Sequence, residues 1–418
     1  MQRFPGDSGA RQPVHTVYGG AHLFKADTAR KLGEKAVSVL NEHGVDPLTF
    51  VRAIGLDEAN AETIWQRVVE KLAREPVEDF RVDFEDGYGN RSDEEEDHHA
   101  QLAGREFAVG MAEGTLPPFT GIRIKPFTQE LMRRGIRTMD IVLTTMLAES
   151  GGRLPSGFVV TLPKIQLPEQ VTLLADLYDA LEPRLGLEPG TLKLEFMIET
   201  TQSILGERGE SNLPRFLDAA RGRAVAAHFG TYDYTASCNI TAAEQRMDHP
   251  ACDFARHMMQ IAYAGTGIWL SDGATNILPI GDRETIHRAW RLHVRHIRHS
   301  LVHAYYQGWD LHPAQLPTRY AAVYSFFLEG LAAATERLRN FMQKAGQATL
   351  VGDVFDDAAT GQGLLNYFLR GMNSGALTEE EALATGLTLE ELRSRSFVKI
   401  LQARRTRAST GSQSPALS

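Results

Sequence analysis

Two short apolar runs that each lead to a carboxylate constrain the fold of this chain more than any other feature. Residues 192–198 run into Glu199, residues 224–229 lead to Asp233, and a polar segment of helix length separates them. Such runs are typical of buried parallel strands joined by a crossover helix. Active sites of α/β folds lie at the carboxyl ends of parallel strands, so both carboxylates are expected at one sheet edge. There they form a site for a hard cation, or alternatively serve as helix N-caps.

Strand-like and helix-like segments alternate along most of the chain. The expected strands are residues 14–24, 80–84, 121–124, 158–162, 192–198, 224–229, 267–270 and 308–311. Nearly every one of them ends in a charged or polar residue. This pattern predicts an α/β fold of the (β/α)₈ TIM-barrel type, with a doubly wound open sheet as the alternative. The chain has no G-x-G-x-x-G motif to support a dinucleotide site in such a sheet.

The segments around the barrel pattern predict the domain organisation. We expect an N-terminal extension with a possible first strand and helices, the barrel, a small helical C-terminal domain and a disordered tail. Their predicted bounds are residues 1–78, 79–315, 316–403 and 404–418. Two capping-box patterns, Thr378 with Glu381 and Thr388 with Glu391, indicate short helices in the C-terminal domain.

Composition excludes several classes of protein. The formal net charge of −9 argues against nucleic acid as a main partner. The sequence has no apolar run long enough to span a membrane, so no membrane partner is expected. Cys238 and Cys252 are too few for a disulfide framework, which favours a cytoplasmic protein. A homo-oligomer is compatible with these features.

A series of motifs occurs in a fixed order between residues 80 and 378. They are FRVDFEDGYG, GIRIKP, VTLPKIQLPEQ, LEFMIETTQSI, GTYDYT, AYAGTGIWLSDGATNILP, GWDLHPAQL and VFDDAATGQGLLNYFLRGMNSGALT. Their order and spacing resemble the superfamily of the citrate lyase β-subunit, malyl-CoA lyase and malate synthase. The third, sixth and last motifs are closest to malate synthase, whereas GIRIKP is closer to the lyases.

The resemblance implies an enzyme that joins or splits a hydroxy acid through an enolate, using a 2-oxo acid and an acyl-CoA. Glu199 and Asp233 would bind Mg²⁺, with Mn²⁺ as a substitute. Arg123 would hydrogen-bond the oxygen on which negative charge develops, and Asp357 would move the proton at the nucleophilic carbon. A CoA-independent 2-oxo-acid aldolase and a non-catalytic metabolite-binding barrel are the alternatives.

Further polar residues near the predicted strand ends are expected to contact substrate or to support the metal ligands. They are Asp83, Glu85, Asp86, Lys164, Asp272 and His312. The three acids of the FEDGYG region cannot all be ligands, and the resemblance implies that Glu85 or Asp86 orients a water molecule. For Arg123 and Lys164, an ion pair with a neighbouring barrel carboxylate is the structural alternative. A capping or packing role suits His312 better than proton transfer.

The segment HVRHIRHSLVH carries four histidines. His296, His299 and His303 share one face of a predicted helix. Because that helix is expected on the outside of the barrel, away from the strand ends, the sequence alone favours no metal site there.

Overall fold

Eight parallel strands hydrogen-bond in sequence order and close into a barrel. The computed structural model describes residues 3–343, 349–351, 354–356 and 358–411. The barrel strands are β1 His15–Gly20, β2 Asp79–Asp83, β3 Phe119–Arg123, β4 Phe158–Leu162, β5 Lys193–Ile198, β6 Ala224–Phe229, β7 Trp269–Ala274 and β8 Gln307–Asp310. The predicted TIM barrel is therefore confirmed, including the order of its strands.

Helices surround the barrel and continue beyond it. They are α1 Thr28–Val39, α2 Pro47–Ile54, α3 Ala61–Arg74, α4 Asp93–Glu113, α5 Met132–Ser150, α6 Pro168–Arg184, α7 Thr201–Ile204, α8 Leu213–Ala219, α9 Thr231–Ser237, α10 Pro250–Tyr263, α11 Arg283–Val302, α12 Leu316–Gln343, α13 Ala358–Asn373, α14 Glu379–Leu383, α15 Leu389–Arg393 and α16 Phe397–Gly411. Thr349–Val351 and Val354–Asp356 form a separate antiparallel pair. None of the described helices is both long and apolar enough to cross a membrane.

Strand β1 closes the barrel by pairing with β2 on one side and β8 on the other. Buried Asp310 reinforces this closure, because its carboxylate contacts His15 at 2.8 Å, His293 at 3.0 Å and Arg319 at 2.9 Å. Burial opposes ionisation of this carboxyl, but Arg319 and the two histidines outweigh it and hold the pKa of Asp310 well below its usual range. The Asp310 carboxylate of β8 thereby connects this strand to β1 and to the outer helices α11 and α12.

The interior of the barrel contains a buried ion network below the mouth. Arg81 donates from Nη2 to Glu195 at 2.7 Å and also pairs with Asp79. His228 Nε2 lies 3.1 Å from the same Glu195 carboxylate. Trp309 Nε1 donates to His228 Nδ1 at 3.1 Å, which connects this network to the layer of side chains at the mouth. Paired charges of this kind fix the positions of the side chains above them.

An ion pair connects the C-terminal helices to the N-terminal ones. Arg67 of α3 pairs with Glu381 of α14 at 2.8 Å. The two predicted capping boxes are confirmed at the starts of α14 and α15. Helix α16 continues to Gly411, into the segment predicted as a disordered tail, and Arg404 anchors it through a 2.7 Å ion pair with Glu391 of α15.

Candidate metal and substrate site

Glu199 and Asp233 lie together at the carboxyl-terminal mouth of the barrel. Glu199 directly follows β5 and is 1% exposed, whereas Asp233 lies in the first turn of α9 after β6. Lys164 contacts both: its backbone N–H donates to Glu199 Oε1 at 2.7 Å, and its Nζ donates to Asp233 Oδ2 at 3.1 Å. The two carboxylates singled out in the sequence therefore belong to one site.

Glu199 is packed closely against Gly230. A Cβ atom on Gly230 would lie 2.6 Å from Glu199 Oε2, so no larger residue fits there without a shift. Burial raises the pKa of Glu199 to about 8; Lys164 opposes this rise, and the neighbouring charges of Asp233 and Glu85 add to it. The nearby cations of the protein thus offset only part of the cost of burying this carboxylate.

This burial predicts a pH-dependent stability for the metal-free protein. The folded-state pKa of Glu199, about 8, exceeds its ordinary value of 4.5. Between these two pH values the folded protein therefore holds a proton on Glu199 that the unfolded chain has lost. Relative to Glu199→Gln, the wild type should lose about 1.4 kcal/mol of unfolding free energy per pH unit between these values. Urea unfolding from about pH 5 to about pH 8 measures the slope. The exposed control Glu113→Gln should follow the wild type; parallel curves for wild type and Glu199→Gln would contradict the assignment.

Arg123 ends β3 and is held rigidly at the mouth. Its Nε and Nη2 donate to the two carboxylate oxygens of Asp83 at 2.7 and 2.6 Å. Its Nη1 lies 3.2 Å from Glu85 Oε2, and its guanidinium carbon lies 4.9 Å from the centre of the Tyr18 ring. Arg123 therefore forms the ion pair that was considered as the structural alternative, and this pair also fixes the guanidinium plane where it lines the cavity.

Asp83 positions the loop after β2 in addition to Arg123. Its carboxylate accepts from the backbone N–H groups of Glu85 at 2.9 Å and Gly87 at 2.7 Å. With these bonds and the bidentate pair to Arg123, Asp83 is a structural acid, as expected for at least one of the three acids in this region. The loop it holds presents the side chains of Glu85 and Asp86 to the mouth.

Lys164 is the cation at the centre of the acidic group. Its Nζ donates to Glu85 Oε1 at 2.7 Å and to Asp86 Oδ2 at 3.2 Å, in addition to Asp233. Burial lowers the pKa of Lys164, but Glu199, Glu85 and Asp86 outweigh it and raise the pKa above the ordinary value. Its backbone has a φ of 50°, which is uncommon for a residue other than glycine. The contacts of Lys164 therefore hold its backbone in an unfavourable conformation.

A cavity of about 580 Å³ opens beside these charged groups. Its charged lining includes Arg123, Glu199 and Asp233, and many of its other lining residues are apolar. The apolar lining includes Tyr18, Leu23, Phe24, Leu32, Trp309 and Leu311. The site therefore combines a few charged groups with a mostly apolar lining, as is common for pockets that take organic ligands.

Sequence reasoning did not single out Tyr18 and Trp309 as site residues. Their rings are 4.5 Å apart, and Arg123 lies 4.9 Å from the Tyr18 ring centre and 5.9 Å from that of Trp309. Cation–π contacts of this kind hold a guanidinium in place without neutralising its charge. The only signal in the sequence was the position of each aromatic residue inside a predicted strand.

Asp272 and His312 both have structural partners, which was not expected for Asp272 but agrees with the capping role favoured for His312. Asp272 is fully buried, where Arg256 Nη1 lies 3.0 Å away and Ser300 Oγ donates to it at 2.6 Å. Strand β7 continues to Ala274, so Asp272 lies within the strand and faces the outer helices α10 and α11. His312 borders the cavity, but its Nδ1 accepts from the N–H of Ala314 at 3.2 Å and caps a short helical turn. Asp357, the predicted proton-transfer group, lies outside the described residues.

Sequence comparison assigns the chain to a family. The matching family model covers residues 1–400 and is described as a domain of unknown function, DUF6986. The chain belongs to this family. No curated protein matches the sequence of this DUF6986 member.

Solved structures share the fold of this DUF6986 chain at low sequence identity. A citrate lyase from Burkholderia xenovorans LB400 is 19% identical, with 92% of this chain and 99% of that chain covered and a TM-score of 0.59. The magnesium and glyoxylate complex of Haloferax volcanii malate synthase is 14% identical, with 93% and 96% covered and a TM-score of 0.51. The resemblance to the citrate lyase and malate synthase superfamily is thus confirmed at the level of the fold.

The acidic group of this DUF6986 chain has the donor chemistry of a hard divalent cation site. Glu199 and Asp233 offer carboxylate oxygens, the ligands that Mg²⁺ and Mn²⁺ prefer. The raised pKa of buried Glu199 indicates that its charge is incompletely balanced by Lys164. A bound divalent cation would supply the missing positive charge, so these residues fit the metal that the motifs implied.

Proposed function

We propose that this protein is a Mg²⁺-dependent enzyme that forms or cleaves a carbon–carbon bond of a hydroxy acid, with a 2-oxo acid and an acyl-CoA as the joined partners. The observation that carries the proposal is the group formed by Glu199, Asp233 and Lys164 beside Arg123 at the barrel mouth. The structural similarity to a citrate lyase and to a malate synthase crystallised with magnesium and glyoxylate supports it.

Glu199 and Asp233 would hold the metal, which when bound polarises the carbonyl of the oxo acid. Arg123 faces the cavity with a guanidinium already fixed by Asp83. A fixed donor of this kind stabilises negative charge that develops on the enolate oxygen of the acyl donor, because it needs no reorganisation during the reaction. Lys164 holds Glu85 and Asp86 beside Asp233 through its Nζ, and Asp86 also lines the cavity.

The shape of the cavity supports two partners rather than one. The charged end near Glu199 and Asp233 suits a small acid, and about 580 Å³ exceeds what a two- or three-carbon oxo acid needs. The aliphatic and aromatic lining with Leu23, Phe24 and Leu32 then receives the acyl end of the second substrate.

The function is tested by mixing the purified protein with Mg²⁺, acetyl-CoA and a panel of 2-oxo acids that includes glyoxylate. Release of free CoA thiol that depends on both Mg²⁺ and the oxo acid is the expected result. Cleavage or formation of a hydroxy acid without any CoA ester would identify a CoA-independent aldolase instead. Binding of oxo acid with neither reaction would identify a barrel that only binds a metabolite.

We also propose Asp357 as the group that moves the proton at the donor carbon, on the basis of the motif resemblance. Asp357→Asn should slow exchange of that proton by about 100-fold, because a positioned base contributes at least on that order. Mg²⁺ and oxo-acid binding should stay near wild type, since Glu199 and Asp233 come from other segments. Deuterium incorporation at the donor carbon in heavy water measures the effect. Asp356→Asn is the control, and an equal loss in both variants would remove Asp357 as the base.

A further inference from the structure

A second group of metal-ligating side chains lies on the outside of the barrel, between helices α10 and α11. It consists of Asp253 from α10, His299 from α11 and His303, the residue that follows α11, and we call it the α10–α11 cluster. One potential ligand atom from each of the three lies within 4.8 Å of the others. His299 and His303 are one helical turn apart, a spacing that places two imidazoles on the same side of one metal ion.

The contacts within the cluster show how close its donor atoms are. His299 Nε2 lies 2.8 Å from Asp253 Oδ1, and the rings of His299 and His303 are 4.5 Å apart between centroids. His257, one turn after Asp253 on α10, borders the cluster with its ring centroid 5.5 Å from that of His303. The side chains of His299 and Asp253 are 26% and 27% exposed, so an ion can reach them from solvent.

His303 has the tautomer that a metal ligand requires. Its Nδ1 lies 2.8 Å from the backbone carbonyl oxygen of His299. A carbonyl only accepts hydrogen bonds, so Nδ1 carries the proton and Nε2 keeps its lone pair. A hydrogen bond from the second ring nitrogen to a carbonyl oxygen is the usual support of a metal-bound imidazole.

Arg256 places a positive charge beside the cluster, and the buried carboxylate of Asp272 offsets this charge. Its Nη2 donates to Asp253 Oδ1 and lies 3.2 Å from His299 Nε2. The same guanidinium is paired with fully buried Asp272 at 3.0 Å and donates to the Met247 carbonyl at 2.9 Å. Because Asp272 offsets the charge of Arg256, the carboxylate of Asp253 remains available to a second cation. Both side-chain hydrogen bonds to Asp253 go to Oδ1, so among the described residues Oδ2 is the oxygen left to bind a metal ion.

We propose that Asp253, His299 and His303 bind a Zn²⁺ ion, with water in the fourth position, that joins α10 to α11. Two imidazoles and one carboxylate are a ligand set that Zn²⁺ accepts in tetrahedral geometry, whereas Mg²⁺ prefers oxygen ligands alone. The ion lies on the outer helices and is distinct from the site at the barrel mouth. Because it binds two helices of the folded protein, it adds to the stability of the fold.

The test uses the full chain freed of metal by a chelator, with Glu199→Gln as the background so that the mouth site does not contribute. His303→Gln and Asp253→Asn remove one ligand each. His287→Gln is the matched control, because it changes another histidine of α11 whose Nε2 contacts the His43 carbonyl oxygen instead. Circular dichroism verifies that each variant is folded. Competition with a chromophoric chelator gives the Zn²⁺ affinity and stoichiometry, and thermal unfolding with and without Zn²⁺ gives the stabilisation.

We expect one Zn²⁺ per chain and a higher melting temperature with Zn²⁺ in the background and in His287→Gln. Affinity should fall by more than about 100-fold in His303→Gln and Asp253→Asn, since loss of a ligand exceeds the effect of losing a supporting hydrogen bond. Co²⁺ in place of Zn²⁺ should give the visible absorption of a four-coordinate ion, absent in both ligand variants. No Zn²⁺ binding in the background, or equal affinity in His303→Gln and His287→Gln, would overturn the proposal.

Discussion

Replacement of Glu199 by Gln, or of Asp233 by Asn, is expected to abolish Mg²⁺-dependent binding of a 2-oxo acid. Each change removes one of the two anionic ligands while keeping the size of the side chain. Mg²⁺ binds poorly to neutral amides compared with carboxylates, and the oxo acid depends on the metal for its carbonyl contact. The barrel should stay folded, because Asp233 lies at its rim and Glu199→Gln places a neutral side chain of the same size where burial already disfavours a charge.

Isothermal titration of a non-reactive 2-oxo acid, with and without Mg²⁺, measures this effect. Glu207→Gln is the matched control, since Glu207 is exposed in the segment that follows β5. The control should bind as the wild type does. If both Glu199→Gln and Asp233→Asn kept the wild-type Mg²⁺-dependent affinity, the metal site would have to lie elsewhere and the proposed function would lose its main support.

Arg123→Lys is expected to lower turnover by about 10²–10³-fold, which is the range for loss of one donor to a developing oxyanion. A lysine keeps the positive charge but cannot reproduce the two parallel hydrogen bonds to Asp83 or the stacking on Tyr18. The lysine ammonium group would therefore remain near the mouth, but its position and the direction of its hydrogen bonds would not be fixed. Mg²⁺ affinity should change little, because Arg123 does not contact the proposed ligands directly.

Steady-state kinetics and Mg²⁺ titration of the variant separate these two effects. Arg137→Lys is a matched control, because Arg137 also forms a two-nitrogen pair with a carboxylate, that of Asp97, but on an exposed outer helix. Its turnover should equal that of the wild type. Turnover of Arg123→Lys within a few-fold of the wild type would show that the Arg123–Asp83 pair is only structural.

Several parts of the site were predictable because they depend on position within a single strand. Glu199 and Asp233 follow buried strands, and the carboxyl ends of parallel strands meet at one edge whatever the details of packing. The same reasoning fails for Asp272. The expected strand ended at residue 270, whereas β7 continues to Ala274 with an irregular register to β8, so Asp272 faces the outer helices. Strand ends are poorly marked in sequence, and a small change of end or register alters the face on which a side chain lies.

The sequence by itself determined the alternating strands and helices that favoured a barrel and the strand ends at which the carboxylates lie, because burial and periodicity are properties of one element at a time. Only the tertiary structure decided which side chains touch across elements. It paired Arg123 with Asp83 and placed Tyr18 and Trp309 around the guanidinium. It also brought Asp253 of α10 to His299 of α11 and to His303 directly after it. Such contacts depend on how strands stagger and helices pack around the closed barrel, which the pattern of a single segment does not record.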